Sequence, residues 1–153
     1  MYKINNQVLF IVVAIAICVL FACSPKPTVN AELAEIAKQD QIERTNGSFN
    51  IDNDSLRLKR VQELELQGSL QHALDYYHAA LVFQHGTEPH HYLKAHLLSK
   101  EAVKMDPTMS KARWLNCAAE DRYLLSIGKA QVWGAQHMTT DNKRVIRKPF
   151  PMD

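Results

Sequence analysis

Asp121 and Arg122 are the side chains with the greatest potential for chemistry in this chain, because they lie in a helical stretch that is otherwise apolar. The apolar side chains of residues 107–127 are Trp114, Leu115, Cys117, Ala118, Ala119, Leu124 and Leu125. Such a stretch packs inward, and a buried charge without a partner destabilises a fold by several kcal/mol. We therefore expect both charged side chains to have polar partners.

The expected partners lie at two other places in the chain. Gln84 and His85 end an earlier predicted helix, and Gln131 and Gln136 follow the last one. One interpretation is a structural network that ties the C-terminal segment to the helices. The other is a small polar pocket that binds a ligand or performs acid–base catalysis through His85 and Asp121. The sequence leaves both interpretations open.

The remaining reactive side chains do not form a recognisable catalytic or metal-binding pattern. The chain has seven histidines, but His91 and His96 are five residues apart, a spacing that does not point two side chains at a common centre on a helix. There is no HExxH motif and no pair of CxxC motifs. Cys117 has apolar neighbours, where a thiol is normally inert, and the chain has no Gly-x-Ser-x-Gly motif. We therefore expect no bound metal and no cofactor, and the sequence does not decide whether the protein is an enzyme.

The N-terminal segment has the three parts of an export signal. A polar start with Lys3 is followed by an apolar run over residues 8–21, which ends in the sequence LFAC at Cys23. A membrane-spanning helix needs about 20 apolar residues, and the prolines in the following SPKP sequence would stop such a helix. The segment resembles the signal peptide and lipobox of bacterial lipoproteins. This resemblance implies cleavage before Cys23 and lipidation of that residue.

The resemblance also implies a location. Several acyl chains on one cysteine attach a protein to a membrane durably, and Ser24 resembles the sorting signal for the periplasmic face of the outer membrane. On this basis, residues 1–22 are a signal peptide and residues 23–30 a tether. A helical domain over residues 31–137 and a basic tail over residues 138–153 follow.

Composition restricts the chemistry of the mature chain. Cleavage leaves two cysteines, of which Cys23 is acylated, so Cys117 has no partner for an internal disulfide. The full chain has a near-balanced net charge of +2, which gives no reason to expect nucleic-acid binding. One charge cluster lies in the tail and consists of Lys143, Arg144, Arg147 and Lys148. We interpret it as a solvated chain end or as a contact with an anionic membrane surface.

Helical signals dominate the chain after residue 30. We predict helices over residues 31–44, 55–67, 70–85, 89–105 and 107–127, with a loop over residues 45–54. Gly68, Gly86 and Gly128 end helices, and Pro89 and Pro107 suit first turns. No segment alternates with a period of two for long enough to predict a strand. The expected fold class is all-α.

Small residues recur at helical spacing in two places. They belong to the sets Gly68, Ser69, Leu70, Ala73, Tyr76, Tyr77 and Ala80, and Ala95, Ser99, Ala102 and Pro107. Both sets resemble the tetratricopeptide repeat, in which small side chains let two helices approach closely and a proline ends the second helix. The resemblance implies a stack of helix hairpins. The sequence thus predicts either a small helical bundle or such a tetratricopeptide-like stack.

A second resemblance concerns the polar residues themselves. Its blocks are Phe83-Gln84-His85-Gly86, Ala112-Arg113-Trp114-Leu115, Asp121-Arg122-Tyr123-Leu124 and Gln131-x2-Gly134-x-Gln136. They are similar to the blocks of an uncharacterised bacterial domain family that usually has Gly-Thr-Gln near its end, where this chain has Ala135 in place of the threonine. The resemblance implies a single domain and no particular activity.

These observations predict a membrane-anchored lipoprotein that faces the periplasm and acts as a helical binding or scaffold module. Its expected partners are the membrane, through the lipid anchor, and a protein of the cell envelope. The alternative is an enzyme or small-ligand-binding protein with a polar pocket around His85, Asp121 and Arg122.

Overall fold

The computed structural model describes residues 28–140 and 143–148. The predicted signal peptide, Cys23 and most of the predicted tether lie outside the described residues. The described part is mainly helical and forms a small helical bundle, which confirms the all-α fold class. Its helices are α1 (Ala31–Asn46), α2 (Ile51–Leu66), α3 (Ala73–Phe83), α4 (Pro89–Met105) and α5 (Ser110–Ser126). Among the described residues, no helix is long and apolar enough to cross a membrane.

The helices pack mainly in chain order. The most extensive contacts join α4 to α5 and α3 to α4, and α3 also packs against α1. Ala95 and Ala102 in α4 and Ala112 and Ala119 in α5 are fully buried. Their small side chains let the two helices approach closely. The tetratricopeptide-like arrangement stays a prediction.

The core runs through all five helices. Its largest fully buried apolar side chains are Leu33, Val61, Val82 and Leu115. Phe83 at the end of α3 and Leu98 in α4 join the same cluster. Burial of each such side chain contributes about 1.5–3 kcal/mol, so this cluster is the main source of stability for a domain in which no disulfide was expected.

The predicted loop over residues 45–54 is wrong in extent. Helix α1 continues to Asn46, and Gly47, with a φ of +67°, ends it. Asn50 begins α2 by accepting hydrogen bonds from the backbone N–H groups of Asp52 and Asn53. Gly47 and Asn50, which suggested a loop, therefore cap two helices, and the connection is only residues 47–50.

Two predicted helix starts are also wrong. Helix α3 begins at Ala73, because the Asp75 carboxylate accepts the N–H groups of Gln71 and His72 and holds those residues outside the helix. Helix α5 begins at Ser110, because Asp106 binds the N–H of Thr108 in a turn. In both places a side-chain acceptor stabilises a turn ahead of the helix.

A short hairpin follows the helices, and the sequence analysis did not predict it. Strand β1 (His137–Thr140) pairs antiparallel with β2 (Lys143–Ile146), with Met138 opposite Val145. All eight strand residues are exposed, so neither strand has the alternation that marks a half-buried strand. The hairpin also crosses the predicted boundary between the helical domain and the tail, because that boundary falls inside β1.

Candidate functional site

Asp121 is fully buried in α5, and its partners among the described residues are all backbone N–H groups. Its Oδ1 accepts hydrogen bonds from the N–H groups of Val132 at 2.8 Å and Trp133 at 3.0 Å, and its Oδ2 accepts one from Ala135 at 2.7 Å. Hydrogen bonds to a carboxylate are stronger than those between neutral groups. Asp121 therefore anchors the connection between α5 and β1.

Arg122, the next residue, binds groups that Asp121 does not contact. Its Nη1 donates to the Gln84 carbonyl oxygen at 2.7 Å, and its Nη2 donates to Gln136 Oε1 at 3.3 Å. The guanidinium also lies over the Tyr92 ring, 5.8 Å from the ring centre. Burial lowers the pKa of Arg122. In the described part of the chain it has no carboxylate partner, and it does not pair with Asp121.

Gln131 and Gln136 complete the attachment of the C-terminal segment. Gln136 donates to the Ala118 carbonyl oxygen in α5 at 2.8 Å. Gln131 donates to the carbonyl oxygens of Gln136 and Arg147, and its Oε1 accepts the N–H of Gln136. These contacts agree with the structural interpretation, in which the polar residues tie the C-terminal segment to the helices.

The structure does not bring His85 and Asp121 together. His85 Nδ1 lies 2.7 Å from Oδ2 of Asp40, a fully buried residue of α1. All three hydrogen bonds of Asp121 come from the connection after α5. Acid–base catalysis through His85 and Asp121 stays a prediction, and these separate partners do not support it. The six predicted residues instead divide between an attachment around Asp121 and a separate cluster at His85.

The cluster at His85 joins α1, α2 and the turn after α3, and the sequence did not predict it. Arg44 of α1 and Arg57 of α2 lie 3.6 and 3.8 Å from Asp40 Oδ1. Both guanidiniums also bind Asp54, and Arg57 makes two hydrogen bonds to Glu43 that lower the pKa of that carboxyl group. The i, i+4 spacing of Asp40 and Arg44 was a visible signal for part of this cluster.

A groove crosses α1, α3 and α5 beside this cluster. It has a volume of about 350 Å³ and is lined by Gln41, Leu81, Gln84, His85, Trp114, Leu115, Arg122, Ala135, Gln136, His137 and Arg144. Four of the predicted site residues thus share one surface, namely Gln84, His85, Arg122 and Gln136. Trp114 is 65% exposed at its edge. No carboxylate belongs to the described lining, so the groove is a polar and cationic surface with exposed aromatic area.

Other candidate chemistry has less support in the described residues. They contain no group of three or more histidine, cysteine, aspartate or glutamate side chains that could hold a metal ion. Cys117 is partly buried, and burial raises the pKa of its thiol. A raised pKa reduces the thiolate fraction, which is the reactive form of cysteine.

His78 leads to a prediction about pH. Burial lowers the pKa of this α3 residue, the charge of Lys111 lowers it further, and its Nδ1 has no hydrogen-bond partner among the described residues. The unfolded chain then binds more protons than the folded one once the pH falls below about 6.5. We expect the free energy of unfolding to decrease as the pH falls from 7 towards 5, and His78→Gln to reduce that decrease.

Chemical denaturation at a series of pH values measures this effect. Lys111→Met removes the neighbouring positive charge and should reduce the decrease by a smaller amount. The pKa of His91 is also lowered by burial, so part of the decrease should remain in both variants. An unchanged pH dependence in His78→Gln would contradict the prediction.

Comparisons of the sequence with models of protein families, with curated proteins and with solved structures give no match.

Proposed function

We propose that this protein is a lipid-anchored helical binding module of the bacterial cell envelope, attached through Cys23 and facing the periplasm. The export signal, the LFAC sequence and Ser24 support the anchor and the location. The described domain begins only a few residues later, with α1 at Ala31. Such a short tether would hold the domain close to the membrane surface.

The bonding of Asp121 is the observation that favours binding over catalysis. A general acid or base must reach the proton that it transfers, and Asp121 is buried with its oxygens bound to three N–H groups. The adjacent Arg122 binds a carbonyl and an amide that are also part of the attachment. The polar residues therefore support a rigid scaffold better than an active site.

The groove across α1, α3 and α5 is the proposed binding surface, and an extended acidic peptide segment is its proposed occupant. Arg122 and Arg144 supply positive charge, and the described lining has no carboxylate to oppose an acidic partner. Gln41 offers an amide to a peptide backbone. Trp114 offers exposed aromatic area of the kind that anchors binding partners.

Fatty-acid labelling tests the anchor. Because acylation needs the thiol of Cys23, we expect Cys23→Ala to accumulate as an unprocessed precursor without label. Cys117→Ala, which removes the other cysteine of the mature chain, should be labelled and processed like the natural protein. Equal labelling of Cys23→Ala would overturn the proposed anchor and location.

Site-specific photocrosslinking in the native envelope tests the groove. A photoreactive amino acid at position 114 should form an adduct whose crosslinked segment, identified by mass spectrometry, is rich in aspartate and glutamate. The matched position is Leu56 of α2, which is 68% exposed and does not line the groove. Arg144→Glu should abolish the adduct at position 114. The groove proposal fails if position 56 captures the same segment, or if the captured segment lacks an excess of acidic residues.

A further inference from the structure

A second cavity also has Arg122 in its lining. This cleft has a volume of about 420 Å³ and lies between the start of α4, the end of α5 and the chain that follows β2. Its lining consists of Thr87, Pro89, Tyr92, Arg122, Leu125, Ser126, Gln136, Arg147 and Lys148. It differs from the groove in everything except Arg122 and Gln136.

The cleft concentrates positive charge without a compensating carboxylate. Arg122, Arg147 and Lys148 all line it, and no aspartate or glutamate does so in the described part of the chain. Arg44 and Arg57, in contrast, each bind carboxylates directly. Arg122 is partly buried, and burial of a charge without a counter-charge is unfavourable, so an anion beside it in this cleft would offset an existing destabilisation.

The cationic residues of the cleft are held by the fold. Arg122 is fixed by its bonds to Gln84 and Gln136. The backbone N–H of Arg147 donates to the Gln136 carbonyl oxygen at 3.0 Å, and its carbonyl accepts from the Gln131 side chain at 2.6 Å. These bonds use the backbone of Arg147, and among the described residues no hydrogen bond or ion pair occupies its guanidinium. Lys148 is the next residue and lines the same cleft.

The chemistry of the lining indicates the class of anion. The hydroxyl groups of Thr87 and Tyr92 can donate hydrogen bonds to oxygen atoms that the cations leave free, whereas the hydroxyl of Ser126 already donates to the Tyr123 carbonyl oxygen. A carboxylate carries one negative charge, whereas a phosphate monoester carries about 1.5–2 at neutral pH and has three acceptor oxygens. Three cations with two hydroxyl groups therefore suit phosphate better than carboxylate.

We propose that the cleft between α4, α5 and the chain after β2 binds a phosphate-bearing anion, held by Arg122, Arg147 and Lys148. The anion is either a soluble phosphate compound or the head group of a phospholipid, since both present non-bridging phosphate oxygens that cations can bind. This site goes beyond the proposed anchor and peptide groove, because neither depends on it.

Calorimetric titration of the full-length lipoprotein in micelles of a maltoside detergent, which carries no phosphate, tests the site, with inorganic phosphate as the probe at constant ionic strength. We expect saturable binding. In Arg147→Gln/Lys148→Gln the dissociation constant should rise by at least about tenfold, since each lost side chain makes a charge-assisted contact. Both side chains are exposed, so circular dichroism should report an unchanged fold.

The matched control is Lys143→Gln/Arg144→Gln, which removes the same charge from the preceding strand β2 without touching the cleft lining. The dissociation constant of this control for inorganic phosphate should stay within about twofold of the value for the natural protein, because general surface charge has a small effect at constant ionic strength. Equal weakening in both double variants, or no saturable phosphate binding, would overturn the proposal. Because the control removes Arg144 from the peptide groove, loss of crosslinking without loss of phosphate binding separates the two sites.

A second titration distinguishes the two sources of phosphate. Glycerophosphoglycerol is the deacylated head group of phosphatidylglycerol and carries a phosphodiester with one charge. Competition between it and inorganic phosphate would assign the site to a phospholipid head group. If glycerol 3-phosphate competes and the diester does not, the site binds soluble phosphate monoesters. If neither compound competes, the cleft recognises no organic phosphate, and the proposal is wrong.

Discussion

Asp40→Ala is expected to lower the free energy of unfolding by about 3–5 kcal/mol, as is typical when one member of a buried charge cluster is removed. Asp40 is fully buried and faces Arg44 of α1, Arg57 of α2 and His85 in the turn after α3. No single helix can move to expose these groups to water without disrupting the core. The loss should therefore appear as a lower midpoint in chemical denaturation with an unchanged slope.

A surface acid provides the control for Asp40. Glu101 of α4 pairs with Lys104 in an exposed i, i+3 contact, so Glu101→Ala should change stability by no more than about 0.5 kcal/mol.

A double-mutant cycle then tests the contact between Asp40 and His85 directly. His85→Ala alone should destabilise by more than about 1 kcal/mol, and the double variant by less than the sum of the two. If the two effects were additive, the contact would contribute nothing to stability. If His85→Ala abolished the crosslink at position 114 without loss of stability, His85 would serve binding rather than the fold.

Asp121→Ala should release the C-terminal segment while most of the helical bundle stays folded. All three of its hydrogen bonds are donated by N–H groups of the connection between α5 and β1. Without the carboxylate these N–H groups lose their partner, and opening of the connection lets them bind water. Loss of three hydrogen bonds to a charged group should lower the free energy of opening by at least about 3 kcal/mol, which raises the open population more than about 100-fold.

Limited proteolysis and hydrogen exchange measure this opening, because cleavage follows the population of the open state when reclosing is fast. We expect fast cleavage within residues 128–136, fast exchange of the Val132, Trp133 and Ala135 amides, and a nearly unchanged helical spectrum. Glu120→Gln is the matched control, because the neighbouring Glu120 binds only the exposed Trp133 indole. If the segment in Asp121→Ala were as well protected as in the natural protein, other contacts would hold it.

Helices were the part of the fold that the sequence predicted well. Their signals depend on residues only a few positions apart, such as Pro89 at the start of α4, or Gly68 and Gly128 after α2 and α5. The errors occurred where a polar residue had two local roles. Asn50 was read as part of a loop, whereas it begins α2. Residues 70–72 were read as part of a helix, whereas Asp75 holds Gln71 and His72 in a turn before α3.

The sequence by itself determined that Asp121 and Arg122 needed partners, because charges in an apolar helix require them, and it correctly named the regions around Gln131 and Gln136. Tertiary structure alone decided the individual bonds. Asp121 binds backbone N–H groups, which every non-proline residue has and which leave no mark in a sequence. His85 binds Asp40, 45 positions away, because the packing of α1 on α3 sets their distance, and no local pattern encodes that packing.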